Sequence, residues 1–223
     1  MSNKCVIVLT PPRSGSSAIS GVLHQLGVCM GTHLLAASVE NPAGFFEDMS
    51  LLNLHKQMLD YCWHNPGPPY VNALLPQYRQ QIAQRAKQPL WGIKDPRLCF
   101  LLPQLIPVFQ EYDCDVQLVL PQRDPVEIVA SLLSPNFQPG EGFVKTQTAA
   151  QHTCQRYLNA RQMVLSQLKL PALPLDYAEL IHQPQLQVQK LCEFLNIQPS
   201  AAALEAAVAS VNPQLHRQRN GLS

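Results

Sequence analysis

Val6-Ile7-Val8-Leu9-Thr10, Pro11-Pro12-Arg13-Ser14-Gly15-Ser16-Ser17 and the apolar stretch through Leu26 form one continuous passage that decides the fold. Lys4–Thr10 is an unbroken apolar run, the pattern of a parallel strand covered on both faces. Pro11–Ser17 reads as a loop. From Ser16 the apolar residues Ile19, Val22, Leu23 and Leu26 recur at helical spacing, and Gly27 marks the stop. A strand that runs through a glycine-bearing loop into a helix is the opening unit of an α/β sheet.

The pattern repeats outward from this unit. Short apolar strands are predicted over residues 90–94, 116–120 and 172–175. Helices are predicted over 51–63, 74–87, 99–112, 125–133, 144–168, 185–195 and 201–210. Pro103 and Pro107 are expected to shorten or bend the helix that contains them. Asp124, Pro125 and Glu127 give the 125–133 helix a strong start signal. Residues 32–48, the run Asn65-Pro66-Gly67-Pro68-Pro69 and Ser134–Gly142 read as loops. Alternating strands and helices predict an α/β fold, a parallel sheet with right-handed crossovers, as a single domain over 1–223.

Composition narrows the function classes. The chain has 223 residues, 46% of them hydrophobic, and 16 Lys+Arg nearly balance 15 Asp+Glu. Charged residues make up 14%, below the usual value of about 25%. So neutral a chain argues against broad nucleic-acid binding, which needs many phosphate-neutralising cations. No apolar run is long enough for a membrane span. The seven cysteines are scattered without a C-x-x-C pair, which points to free thiols in a reducing cytoplasm. No metal-ligand spacing is visible. Low charge with high apolar content leaves room for a homodimer.

Two segments carry chemistry. A loop that opens a helix presents unpaired amides and the positive end of the helix dipole to an anion. Gly15 lets the backbone curl close, Ser14, Ser16 and Ser17 offer hydroxyls, and Arg13 offers a planar charge. The same residues also suit a β-turn with a serine-rich cap. The loop is not a Walker A motif: it lacks the second glycine and the Lys before the Ser/Thr. The second segment runs from Arg123, at a strand end, to Ser131, two turns into the next helix. Ligands of open α/β sheets sit beyond the carboxyl ends of strands, which puts Arg123 on the rim of the first loop.

Pro12–Ser17 resembles the 5′-phosphosulfate loop of sulfotransferases, and Arg123 with Ser131 resembles their 3′-phosphate motif. Glu40–Glu47, Trp91–Arg97, Leu175–Leu180 and Val211–Arg219 are similar to further segments of the bacterial members, in the family's order along nearly the whole chain. The resemblance implies a P-loop-like three-layer α/β fold, a central parallel sheet flanked by helices, with 3′-phosphoadenosine-5′-phosphosulfate (PAPS) as donor and PAP as product, without a metal. It implies that Arg13 and Ser14–Ser17 hold the 5′-phosphosulfate and that Arg123 and Ser131 hold the 3′-phosphate. It also implies that Arg217 and Arg219 fold back over the nucleotide; a solvated basic tail is the alternative. An unknown small-molecule or carrier-bound acceptor completes the reaction. A P-loop-like small-molecule kinase and a non-catalytic nucleotide-binding module are the competing classes.

Many relatives carry Lys where Arg13 stands; Arg keeps the charge but serves only as an electrostatic clamp. Relatives also use a His after the second strand as base, and Lys94-Asp95-Pro96-Arg97 has none. Glu47 is the favoured base, with two Phe before it expected to shield it and raise its pKa. Its alternative is a helix cap. Asp95 competes, but Lys94 and Arg97 are expected to hold its pKa low. Lys94 suits a second clamp on the sulfuryl oxygens. His55 is an outside candidate for the base, and Trp63, Tyr70 and Phe137 could line an acceptor pocket.

Overall fold

The computed structural model describes residues 3–38, 41, 44–59, 70–134 and 146–211. Trp63, the 65–69 break, Phe137 and the tail with Arg217 and Arg219 lie outside the described residues. Strands β1 (Asn3–Val8), β2 (Leu90–Lys94), β3 (Cys114–Gln122) and β4 (Ala172–Asp176) form one parallel sheet in the order β2-β1-β3-β4. Helices α1 (Ser16–Gln25), α2 (Met49–Met58), α3 (Leu75–Arg85), α4 (Leu98–Glu111), α5 (Pro125–Leu132), α6 (Gln147–Leu168), α7 (Tyr177–His182), α8 (Pro184–Leu195) and α9 (Ala201–Ala209) surround it.

Alternation along β1 explains the layers. Cys5, Ile7 and Leu9 face one side, against Leu51 and Met58 of α2, Tyr78 and Ile82 of α3, Leu101 and Leu105 of α4 and Tyr157 of α6. Val6 and Val8 face the other, against Ile19, Val22 and Leu23 of α1 and Val188, Leu191 and Leu195 of α8. A period of two places consecutive side chains on opposite faces, so a strand apolar at every position must be covered twice. The expected three-layer α/β fold is the fold observed.

The boundaries shift for local reasons. β1 ends at Val8 rather than Thr10, although the Leu9 amide still donates to the Val119 carbonyl at 2.9 Å. α2 begins at Met49 because the Asp48 side chain accepts from the amides of Ser50 and Leu51. α6 begins at Gln147, capped by Thr146. α4 runs through both Pro103 and Pro107. A proline inside a helix costs about 3 kcal/mol. Full burial of Leu101, Leu102, Leu105 and Phe109 offsets it, at about 1.5–3 kcal/mol per side chain. The six-residue α7 was not expected. Asp176 opens it by accepting from the Glu179 amide, so β4 passes directly into the helix.

Candidate functional site

The carboxyl ends of β1, β2 and β3 share one rim. Register fixes this: Val8 lies beside both Lys94 and Val119, and the Thr10 hydroxyl reaches the Pro121 carbonyl at 3.3 Å. The loop after β1, the helix start after β3 and the turn after β2 therefore open on the same side.

In the first loop two residues take left-handed backbone, Arg13 at φ 67° and Gly15 at φ 82°. The Ser14 hydroxyl donates to the Pro11 carbonyl at 2.9 Å and closes the loop, so that side chain is engaged internally. The Ile19 amide bonds back to the Gly15 carbonyl at 3.2 Å, leaving the α1 amides before it to face outward. At Gly15 this loop meets Tyr177: a Cβ there would lie 2.6 Å from the ring's Cγ.

The second segment joins the first directly. Arg13 Nε donates to Ser131 Oγ at 2.9 Å, across 118 positions of sequence, and Arg123 donates through Nη1 to the Arg13 carbonyl at 2.9 Å. Arg123 is further held by Glu127, which accepts from its Nε at 2.9 Å, and its guanidinium carbon lies 5.2 Å from the centre of the Tyr177 ring, a cation–π contact. Burial pushes the Tyr177 hydroxyl up from its ordinary pKa, with Arg123 pulling against that shift. Arg13, Ser131 and Arg123 thus meet on one edge.

The third group lies at the end of β2. Lys94 Nζ donates to Glu47 Oε1 at 2.6 Å and stands 3.5 Å from Ser17 Oγ, with the Phe45 ring 6.0 Å away. Both members of the ion pair are buried. Phe46 packs on α1, against Gly21 and His24. The α2 cap is Asp48, not Glu47. Asn41 bridges this group to the loop, donating to Ser17 Oγ at 2.9 Å and to the Gly44 carbonyl at 2.7 Å.

Asp95 belongs to a separate buried cluster. One oxygen accepts from the Arg97 amide and from Arg97 Nη1, each at 2.9 Å, and the other contacts His55 Nδ1 at 2.8 Å. Burial pushes the carboxyl up, but Arg97 and His55 outweigh it and hold Asp95 well below the usual carboxylate range. The expectation named Lys94 and Arg97 as the cause; Lys94 in fact pairs with Glu47, and His55 takes its place. His55 is fully buried. Tyr70, expected near an acceptor pocket, is exposed.

Sequence reasoning missed Tyr177 and Asn41, although both fall inside segments it singled out. The Asp176-x-x-Glu179 box would have signalled a helix start beginning with Tyr177.

The family model "Sulfotransferase family" matches residues 6–200. Comparison with the curated proteins gives no match. Among solved structures the chain is similar to the sulfotransferase domain from the curacin biosynthetic pathway, at 16% identity over 97% of this chain and 89% of that one, TM-score 0.54. It is similar to the sulfotransferase domain of the Synechococcus PCC 7002 olefin synthase, at 17% identity over 100% and 90%, TM-score 0.56. It is also similar to sulfotransferase STF1 of Mycobacterium tuberculosis H37Rv, at 17% identity over 93% and 71%, TM-score 0.56. At these identities the likeness is one of fold. The family match runs unbroken from β1 to Ser200, taking in the Arg13 loop, the end of β2 and the Arg123 helix start, and by it the chain belongs to the sulfotransferase family.

Proposed function

We propose that this transferase moves a sulfuryl group in line from PAPS to an acceptor hydroxyl or amine, releasing PAP. The observation that supports it most is the join of Arg13, Ser131 and Arg123, which unites two cationic, hydroxyl-bearing segments at the open end of α1. Two guanidiniums, serine hydroxyls and a helix N-terminus form a donor set suited to a nucleotide with phosphates at both ends. The donor supplies an activated sulfuryl group on a phosphate leaving group.

In this reading Arg123 and Ser131 hold the 3′-phosphate. Arg13, Ser17 and the backbone amides of Ser14, Gly15 and Ser16 hold the 5′ end, and Arg13 stabilises charge as it grows there. The resemblance further assigns Arg217 and Arg219, which lie outside the described residues, to the nucleotide, with a solvated basic tail as the alternative. Lys94 clamps the sulfuryl oxygens, and Glu47, its ion-pair partner, takes the acceptor proton. Asp95 orients rather than accepts, because Arg97 and His55 already occupy both its oxygens. His55, fully buried and paired, is not the base. The single domain 1–223 works in the cytoplasm, where thiols such as buried Cys5, Cys99 and Cys154 stay free. Among the described residues no helix is long and apolar enough to cross a membrane.

The test has two arms. PAP at 100 times its Kd should add about 2.7 kcal/mol of stability, read as a raised melting temperature. Arg123→Ala should abolish that rise. Turnover of labelled PAPS is then followed against sugars, lipids, phenols, peptidyl tyrosine and carrier-bound hydroxyls, with Glu47→Gln as control. That variant should keep PAP affinity and lose about 10²–10⁴ in kcat. PAP binding without turnover on any acceptor would leave a binding module, and preference for Mg-ATP would indicate a kinase.

A further inference from the structure

We infer that Asn41 is a positioning residue that sets the Ser17 hydroxyl as an obligate hydrogen-bond donor toward the 5′ end of the nucleotide. The inference rests on the donor site proposed above and adds a residue to it.

The logic is one of hydrogen-bond direction. A carboxamide has one accepting oxygen and one nitrogen with two hydrogens, and a hydroxyl has one hydrogen and two lone pairs. The Gly44 carbonyl can only accept. The Asn41 group that meets it at 2.7 Å is therefore the NH₂, and this fixes the side chain against a flip. The same nitrogen stands 2.9 Å from Ser17 Oγ, so its second hydrogen points at the serine and Ser17 must accept there. Lys94 Nζ, a donor only, approaches the same oxygen at 3.5 Å. With donors on its lone pairs, the Ser17 hydroxyl directs its single hydrogen elsewhere. Ser17 is the second residue of α1, in the turn whose amides lack intrahelical partners, and that hydrogen is assigned to the same anion as those amides.

A serine with free choice can offer an anion either a lone pair or a hydrogen. Here the wrong choice is removed before any ligand arrives, which saves reorganisation on binding. Asn41 also ties the loop to Gly44, three residues before Glu47, so one amide links the donor loop to the segment that carries the proposed base.

The test compares two nucleotides by calorimetry or competition. PAP carries a 5′-phosphate; adenosine 3′-monophosphate does not. Asn41→Ala should weaken PAP about tenfold and leave adenosine 3′-monophosphate unchanged within twofold. Ser17→Ala should behave the same way, and the double variant should lose about tenfold rather than a hundredfold, because the two residues act as one unit. Equal losses on both nucleotides, or an additive double variant, would show that Asn41 only supports the loop and would overturn the inference. The nucleotide difference survives any general loss of stability from the missing Gly44 bond. Wild type that fails to bind PAP sinks the donor reading and this inference together. Wild type that binds PAP in an Arg123-dependent way, with no nucleotide-specific Asn41 effect, sinks this inference alone.

Discussion

The Cα of Gly15 faces the Tyr177 ring so closely that a side chain there would meet Tyr177 Cγ at 2.6 Å. The residue also sits at φ 82°, a left-handed conformation that disfavours any Cβ. Gly15→Ala combines both penalties, about 1 kcal/mol for the backbone and about 1–3 kcal/mol for overpacking. For a chain of this size the melting temperature should fall by about 5–15 °C. PAP binding should fall further than stability, because Tyr177 is also the platform under Arg123. A Gly15→Ala protein that melts and binds PAP like wild type would show that the ring has room to move.

This contact also marks where the sequence could and could not be read. The β1–loop–α1 unit was legible because apolar spacing and Gly15 specify it locally. That Arg123 lies on the rim of the first loop followed from the rule that ligand loops of open α/β sheets sit at strand carboxyl ends; the direct Arg13–Ser131 bond did not. Ion-pair partners were not legible. Lys94 and Asp95 are neighbours in sequence, yet Lys94 reaches Glu47 while Asp95 reaches Arg97 and His55. Strand alternation sends consecutive side chains to opposite faces, which adjacency on paper conceals. Tyr177 was missed because six residues of α7 are too few to show helical periodicity. Asn41 was missed because it acts through Ser17 and a carbonyl, a role that no residue pattern announces.

Asp48 carries two tasks with one oxygen. Its Oδ1 caps α2 and also meets Arg85 Nη2 at 2.5 Å, with Asp48 buried and Arg85 partly exposed. Asp48→Ala removes the cap and leaves the Arg85 guanidinium with Gln81 alone, for a loss of about 1–3 kcal/mol. Asp48→Asn keeps a capping oxygen and should recover about 1 kcal/mol of that. Urea unfolding of the three proteins checks the order wild type, Asn, Ala. An Asn variant no better than Ala would mean that the cap contributes nothing.

The Asp95 cluster sets an acid limit on stability. The folded carboxyl is held below its unfolded value of about 3.9, because Arg97 and His55 outweigh burial. Its stabilisation is therefore fully present above about pH 4 and is lost as pH falls through the folded value. Asp95→Asn should lower stability by about 3–5 kcal/mol at pH 7, since Arg97 and His55 lose their partner. Unfolding measured from pH 7 down to pH 2 should show this gap constant to about pH 4 and narrowing below it. A gap that widens toward acid would reverse the assigned direction.

Arg123 distinguishes a guanidinium site from a merely cationic one. Its Nε holds Glu127, its Nη1 holds the Arg13 carbonyl, and its guanidinium carbon lies 5.2 Å from the centre of the Tyr177 ring. A lysine can supply the charge but not two directed contacts from one planar group. Arg123→Lys should therefore lose most of what Arg123→Ala loses in PAP affinity, at least tenfold, or about 1.4 kcal/mol. Its salt dependence should stay near that of wild type, because the positive charge remains. Calorimetric titration at two ionic strengths separates the cases. If lysine restores wild-type affinity, charge alone suffices, and the forked geometry that joins the loop to α5 is incidental to nucleotide binding.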